Sequence, residues 1–244
     1  SNSPYSLINS VAPRWKALDA GAYSLCGVDE QGTLLCWGDN RFGQLGNGTQ
    51  DSHQEPEPVQ GLGPVLSVTS SYSHRCVRDR QAMVWCWGDN RFGQSGTRVS
   101  AHPDWAGEPQ MMATIGPTKL VNSLDERTCV VTDDGRTICW GSKARGVLGV
   151  PESVGDPFNE AHQPIEGLTG VPTMLAGGSD FTCALFESGD VVCWGSGDNG
   201  VLGNGSNLDS RQPITVAGLP PVRQIDATWQ HACAITKDDQ VYCW

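Results

Sequence analysis

The sequence predicts an all-β fold, a β-propeller of four-stranded antiparallel blades, and three observations predict it. Two cysteines ten positions apart, the second followed by tryptophan, occur five times: Cys26/Cys36, Cys76/Cys86, Cys129/Cys139, Cys183/Cys193 and Cys233/Cys243. The second cysteines are spaced by 50, 53, 54 and 50 residues, a period that belongs to solenoids, propellers and arrays. The segments around them are short, rich in β-branched and aromatic residues, and bounded by Gly, Pro, Asn and Asp. With 30 Gly and 15 Pro in 244 residues, no helical stripe is sustained.

Each repeat reads as strands A, B and C, a long loop, then strand D. In the second repeat, A is Val65 to Ser70, B is Arg75 to Arg78 and C is Met83 to Trp87. Around each second cysteine both alternating faces are apolar, as in Leu34, Leu35, Cys36 and Trp37, which is the pattern of a strand sandwiched on two sides. The D strands fall at Pro56 to Gln60, Pro109 to Ala113, Gln163 to Glu166 and Gln212 to Val216.

The last repeat stops at Trp244 on a C strand, while the orphan segment Ser3 to Ile8 precedes the first A strand. That segment can close the ring and remove an open edge. The expectation is one propeller domain over residues 1–244, with hairpins near 15–38, 65–88, 118–141, 171–195 and 222–244, and residues 1–9 as the closing strand. The alternative is a five-repeat piece of a longer propeller.

Nine residues separate the paired cysteines, centred on turns such as Asp29-Glu30-Gln31-Gly32, Asp133-Asp134-Gly135 and Glu187-Ser188-Gly189. A B-C hairpin with a short turn puts each pair directly across the ladder, within disulfide range. Each bridge would contribute roughly 2 to 3 kcal/mol and hold the hairpin register. No Cys/His set has zinc spacing, so no metal or cofactor is expected. Ten cysteines in five matched pairs point to an oxidising compartment, secreted, cell-surface or periplasmic. No apolar run reaches membrane-spanning length and no signal peptide is present, so membrane insertion is not expected. The net charge of -11 makes nucleic acid an unsuitable partner.

The stretch CWGDNRFGQLGNGT from Cys36 recurs as CWGDNRFGQSGT from Cys86 and as CWGSGDNGVLGNGS from Cys193. Together with the Ala20-Gly21 and Ala176-Gly177 pairs and the Cys183-Ala184-Leu185 strand, it resembles the regulator of chromosome condensation repeat family. The added cysteines resemble the secreted bacterial branch of these repeats. The resemblance implies a β-propeller, most often of seven blades, whereas five copies occur here. It implies no single activity: relatives exchange nucleotide on a small nuclear GTPase, sense ultraviolet light, inhibit secreted β-lactamases or act as surface and effector proteins.

Catalysis needs a constellation that breaks repeat symmetry. His74 and His231 share one repeat position with Ser24, Arg127 and Phe181, so they read as repeat residues. No nucleophile elbow, zinc-protease or phosphate-loop motif occurs, and an enzyme is not expected. Asp39-Asn40 and Asp198-Asn199 read as the C-to-D turn rather than calcium ligands. Asn47-Gly48-Thr49 and Asn204-Gly205-Ser206 match the glycosylation sequon but equally the Asn-Gly turn.

In a four-stranded meander the A-B and C-D loops share one face, and there the repeats differ most. The segment from Arg98 to Gln110 carries His102, Asp104, Trp105 and Glu108; that from Pro151 to Gln163 carries Asp156, Phe158, Glu160 and His162. An aromatic flanked by acids and a histidine is a contact patch, although Trp105 and Phe158 can instead tuck under their own loops. The A-B positions Tyr23, Tyr72, Asp125, Asp180 and Trp229 ring the same face. The expected function is a non-enzymatic secreted or cell-surface binding or adhesion module for a protein or glycan ligand, standing alone or within a larger surface protein. The alternative is an inhibitor of a secreted enzyme.

Overall fold

The computed structural model describes residues 13–96, 104–150 and 163–244. Eighteen strands form five antiparallel sheets arranged in succession. The first blade is β1 (Trp15–Ala20), β2 (Ser24–Asp29), β3 (Leu34–Gly38) and β4 (His53–Pro58); the second is β5 (Val65–Ser70), β6 (His74–Asp79), β7 (Val84–Asp89) and β8 (Trp105–Met111). The third has β9 (Thr118–Leu124), β10 (Arg127–Thr132) and β11 (Thr137–Gly141); the fourth has β12 (Pro172–Gly177), β13 (Phe181–Phe186), β14 (Val191–Gly195) and β15 (Ser210–Thr215). The fifth is β16 (Val222–Thr228), β17 (His231–Thr236) and β18 (Val241–Cys243).

Each cysteine pair is directly opposed between the second and third strands of its sheet. All five disulfides are formed, Cys26–Cys36, Cys76–Cys86, Cys129–Cys139, Cys183–Cys193 and Cys233–Cys243, with Cα–Cα distances of 4.1 or 4.2 Å. The hairpin turns need one left-handed residue at the sixth position after the first cysteine. Gly32, Gly135 and Gly189 supply it, and Ala82 (φ 62°) and Asp239 (φ 65°) adopt the same conformation despite a side chain. Asp79 braces the second turn, its Oδ1 accepting the amides of Gln81 and Met83 at 2.9 Å each, as Asp29 Oδ1 accepts those of Gln31 and Thr33 in the first.

Tryptophan sets the spacing between blades. The indole N–H of Trp87 donates to the Gln44 carbonyl of the preceding blade (3.0 Å), Trp140 to Gln94 (3.1 Å), Trp194 to Val147 (2.9 Å) and Trp244 to Val201 (2.9 Å). Each acceptor lies eight residues after its own second cysteine, so the repeat supplies donor and acceptor in phase. Burying an indole against the next sheet while satisfying its one donor is what makes this position tryptophan. The turn at the opposite end is stitched as well: Val65 N–H donates to Gly32 O (2.8 Å), Thr118 to Ala82 O (2.8 Å) and Val222 to Gly189 O (2.9 Å).

In the third blade the described part of the fourth segment forms a bridge between Ile138 and Pro164, and Ile165 N–H donates to Thr137 O at 2.8 Å, the bond that ends each D segment. Cys36, Cys86 and Cys193 each pair on their outer side with a fourth-strand residue, Glu57, Gln110 and Ile214, and are fully buried. Cys139 is opposed to Cys129, to which it is bridged, and keeps 5% of its surface exposed.

The ring is not closed among the described residues. Inner strands pack in succession, β1 on β5, β5 on β9, β9 on β12 and β12 on β16, and β18 is left exposed along its length, Cys243 included. The proposed closing strand, residues 1–9, lies outside the described residues.

Candidate functional site

The inner strands converge on an axial channel of about 590 Å³. The residue opposite the first cysteine of each blade faces it: Asp19, Thr69, Asn122, Ala176 and Asp226. The cysteines themselves, from the Cys26–Cys36 bridge through Cys129–Cys139 to Cys233–Cys243, stand behind these residues, and none of the ten is a free thiol. Their part is structural, as their spacing implies.

Successive blades exchange hydrogen bonds at the channel wall. Ser70 N–H donates to Asp19, Ser123 N–H to Thr69 Oγ1 (2.9 Å), Thr69 Oγ1 to Asn122 Oδ1 (3.1 Å) and Asn122 Nδ2 to Leu175 O (2.6 Å). Asp226 instead accepts from the amide of Ala227 at 2.9 Å. Burial raises the Asp19 pKa, against the pull of the Ser70 bonds and the Arg75 charge.

Two buried arginines hold the A-B turns that form the channel mouth. Arg75 donates to the carbonyls of Ser71 (2.8 Å), His74 (3.0 Å) and Ser24 (3.3 Å), tying blade two to blade one. Arg127 donates to Ser179 O (2.8 Å), Gly178 O (3.0 Å) and Thr182 Oγ1 (3.0 Å), tying blade three to blade four. Burial lowers both to about 10, opposed by nearby carboxylates, Asp19 for Arg75 and Asp125 first for Arg127. Sequence reasoning passed over them because they sit inside strands beside the cysteines. The available signal was a charge at positions where Thr182 and Phe181 stand in a neighbouring repeat.

His74 is also shut away from solvent. Its Nδ1 meets Ser71 Oγ at 2.6 Å and its Nε2 meets Thr128 Oγ1 at 2.8 Å, while Thr128 donates onward to Gln94 O at 2.9 Å. Thr128, having spent its proton, accepts from Nε2–H, which leaves Nδ1 to accept from Ser71. Burial, then the Arg75 charge, push the His74 pKa down to about 3. A neutral histidine enclosed between two hydroxyls joins two blades; it has no route to a substrate.

Around the mouth, the predicted A-B residues divide into an aromatic and an acidic arc. Tyr23 and Tyr72, 59% and 44% exposed, meet edge-to-face with ring centroids 5.7 Å apart, and the Arg41 guanidinium lies 5.8 Å over Tyr23. Across the channel from Tyr72, Trp229 is 74% exposed, and its backbone (φ 36°) is fixed by Ser179 N–H donating to Trp229 O at 3.0 Å. Between them stand Asp125, Glu126 and Asp180. Burial raises the pKa of Asp125 and of Glu126, and the neighbouring like charges push both in the same direction.

Residues 104–110 are placed differently from the expected loop. Asp104 is exposed and its carbonyl accepts from Asn90 N–H (2.8 Å). Trp105 starts strand β8 and is half-buried, its ring against Gly43 of blade one and Gly107, where an added Cβ would come within 2.4 Å of it. It fills a space between blades one and two. Glu108 is exposed on the same strand, beside Gly48. His102, Asp156, Phe158, Glu160 and His162 lie outside the described residues. Among the described residues no group of three His, Cys, Asp or Glu is arranged to hold a metal, and no helix is long and apolar enough to cross a membrane.

Stacked Cys-bridged sheets around an axial channel, with indoles bonded blade to blade, define a β-propeller of repeated units. Residues 31–77 and 188–235 match the Regulator of chromosome condensation (RCC1) repeat, as do 15–44 and 65–94, together just over half of the chain. The chain belongs to the RCC1 repeat family. It is 29% identical over 239 residues to the human E3 ubiquitin-protein ligase HERC2, covering 93% of this chain and 5% of that protein. It is 29% identical over 205 residues to the human probable E3 ubiquitin-protein ligase HERC4, covering 81% of this chain and 19% of that protein. Among solved structures, a chain of Kap60 bound to yeast RCC1 (Prp20) superposes with a TM-score of 0.84 at 18% identity, covering 96% of this chain and 56% of that one. Human WBSCR16 follows with 0.80 at 17%, covering 93% and 58%. This chain therefore spans little more than half of those structures and a small part of the HERC proteins.

Proposed function

We propose that the chain is a non-enzymatic binding propeller of an oxidising, extracellular setting that holds a protein partner on its A-B/C-D face. The observation that carries this reading is the group of exposed apolar side chains on the A-B and C-D segments. Tyr23, Tyr72, Phe92, Leu208 and Trp229 are all exposed on A-B or C-D segments, around a channel with acidic walls. At the other end the tight B-C turns are occupied in stitching blade to blade. Five disulfides fit an oxidising compartment. A protein partner accords with a family whose yeast member Prp20p is described by its binding to Gsp1p and histones.

The test is a paired capture from extracellular and cell-surface extracts with the wild type and a Tyr72→Ala/Trp229→Ala variant. Both side chains are exposed, so the variant should fold normally. It should lose the partner by at least about tenfold in affinity, as removal of aromatic anchors does. An unchanged partner set at unchanged affinity would place binding elsewhere. A glycan array with the same two proteins distinguishes a carbohydrate ligand.

The fixed backbone at Trp229 favours one second reading, an inhibitor that inserts a rigid aromatic into a secreted enzyme. Loss of hydrolase activity on mixing, restored by Trp229→Ala, is its signature.

A further inference from the structure

The hexapeptide Asp-Asn-Arg-Phe-Gly-Gln occurs twice in the C-D turns, at 39–44 and 89–94, and the two copies have different surroundings. In the first, the Phe42 ring is covered by the guanidinium of Arg91 from the next blade, 5.0 Å from its centroid. Arg91 is held there by its own carboxylate, with Nε to Asp89 Oδ1 at 2.9 Å and an amino group to Asp89 Oδ2 at 2.7 Å. Burial alone would raise Asp89, but the bonds from Arg91 and Ser73 and the guanidinium charge hold its pKa below the ordinary range.

In the second copy this cover is missing. The position of Arg91, five residues after the second cysteine, is Ala144 in the third blade, five after Cys139, and the position of Asp89 is Ser142. Among the described residues no cation lies over Phe92, and the residue is 38% exposed. Arg145, one residue on, is engaged elsewhere: its Nε donates to Asp209 Oδ2 at 2.9 Å and it pairs with Asp198. The negative charge that would accompany a guanidinium is nevertheless present. Glu126 lies within electrostatic reach of Arg91 and of Asp125, Asp180 and Asp89, and Ser142 N–H donates to the Glu126 carbonyl at 2.9 Å. The A-B turn of blade three thus sets its carboxylates beside the place where the arginine is missing.

We propose that Phe92, with Glu126 and Asp125, is a subsite for an arginine side chain of a protein partner, taking in trans the guanidinium that Arg91 supplies in cis to Phe42. The inference rests on the proposed binding face and names one contact on it. A guanidinium fits better than an ammonium, because it stacks flat on an aromatic ring while its edge still donates to a carboxylate. An aliphatic side chain would cover the ring but bring the two carboxylates no donor.

The probe is an acetylated glycine pentapeptide with one central arginine, titrated into the intact, disulfide-bonded protein and followed by NMR. The Phe92 ring and Glu126 amide resonances should move together, and the same peptide with norleucine should move neither. Phe92→Leu should weaken binding about two- to fivefold, the size of one exposed cation–π contact. Ala144→Arg, which restores the repeat residue, should fill the subsite and abolish the response. An absent shift in the wild type, an equal response to norleucine, or undiminished binding in either variant would overturn the assignment. Should Ala144→Arg not fold, Phe92→Leu and Glu126→Gln carry the test. A protein that loses its partner with Tyr72→Ala/Trp229→Ala yet ignores the arginine peptide retains the face and discards this subsite.

Discussion

Trp194 and Trp37 follow the same cysteine in the same hairpin, yet Trp194 is fully buried and Trp37 is partly exposed. Trp194 has the third blade in front of it and donates to Val147 O at 2.9 Å; Trp37, on the first described blade, meets Trp15 of its own sheet, with ring centroids 5.7 Å apart. The same contrast separates β10 and β13, buried throughout, from β18, exposed throughout. A blade does not bury its own apolar faces, because the neighbour supplies the other half of each interface. Buried polar side chains, Arg75, His74 and Arg127, link the first four blades, whereas on the fifth blade His231, in the position of His74, is exposed.

The largest expected effect breaks a central interface. Trp194→Ala removes a fully buried indole and its bond to the Val147 carbonyl, so it should cost about 3 to 5 kcal/mol, while Trp37→Ala should cost less than half of that. Urea titration of both variants checks it; equal losses would show that the blades do not depend on their neighbours.

The next effect concerns acid. His74 has a depressed pKa in the folded chain, so the unfolded chain binds the proton first and stability is lost as pH falls from about 6.5 toward 3. The full span corresponds to a loss on the order of 3 to 5 kcal/mol. The raised carboxyls of Asp125 and Glu126 act with the opposite sign: their contribution is present at low pH and is lost as pH rises. Melting temperature against pH for the wild type and His74→Gln separates the two, and the variant should flatten the acid limb. An unchanged limb would remove His74 from the account of the interface between blades two and three.

The smallest effect lies in the turns. Ala82 holds a left-handed conformation that Gly135 adopts without strain, so Ala82→Gly should raise stability by up to about 1 kcal/mol and Gly135→Ala should lower it by a similar amount. Denaturant midpoints of the two variants sharpen the comparison between hairpins of the same length and the same disulfide spacing.

Much of the fold was legible because the relevant signals are local. The cysteine spacing set the hairpin register, and the turn residues set its reversal. The fourth strands were less legible: β8 begins at Trp105 rather than near Pro109, which turned a supposed contact residue into a wedge against Gly43. Prolines at 56, 109 and 213 drew attention to the ends of these strands, whereas pairing begins earlier along the loop. Of the candidate site, Tyr23, Tyr72 and Trp229 were legible from their turn positions. The division of the mouth into aromatic and acidic arcs was not, since it depends on which blades stand side by side.

The sequence by itself determined the hairpin core of each blade: its first three strands, its disulfide and the indole that will face a neighbour, because each is encoded within about 25 residues of repeating pattern. Only the tertiary structure decided which copies of that pattern are satisfied. Phe42 and Phe92 sit in identical hexapeptides, and Arg91 covers one while Ala144 leaves the other open. The physical reason is that burial, hydrogen-bond pairing and charge balance at a blade surface are properties of two adjacent blades, fixed only when both are in place.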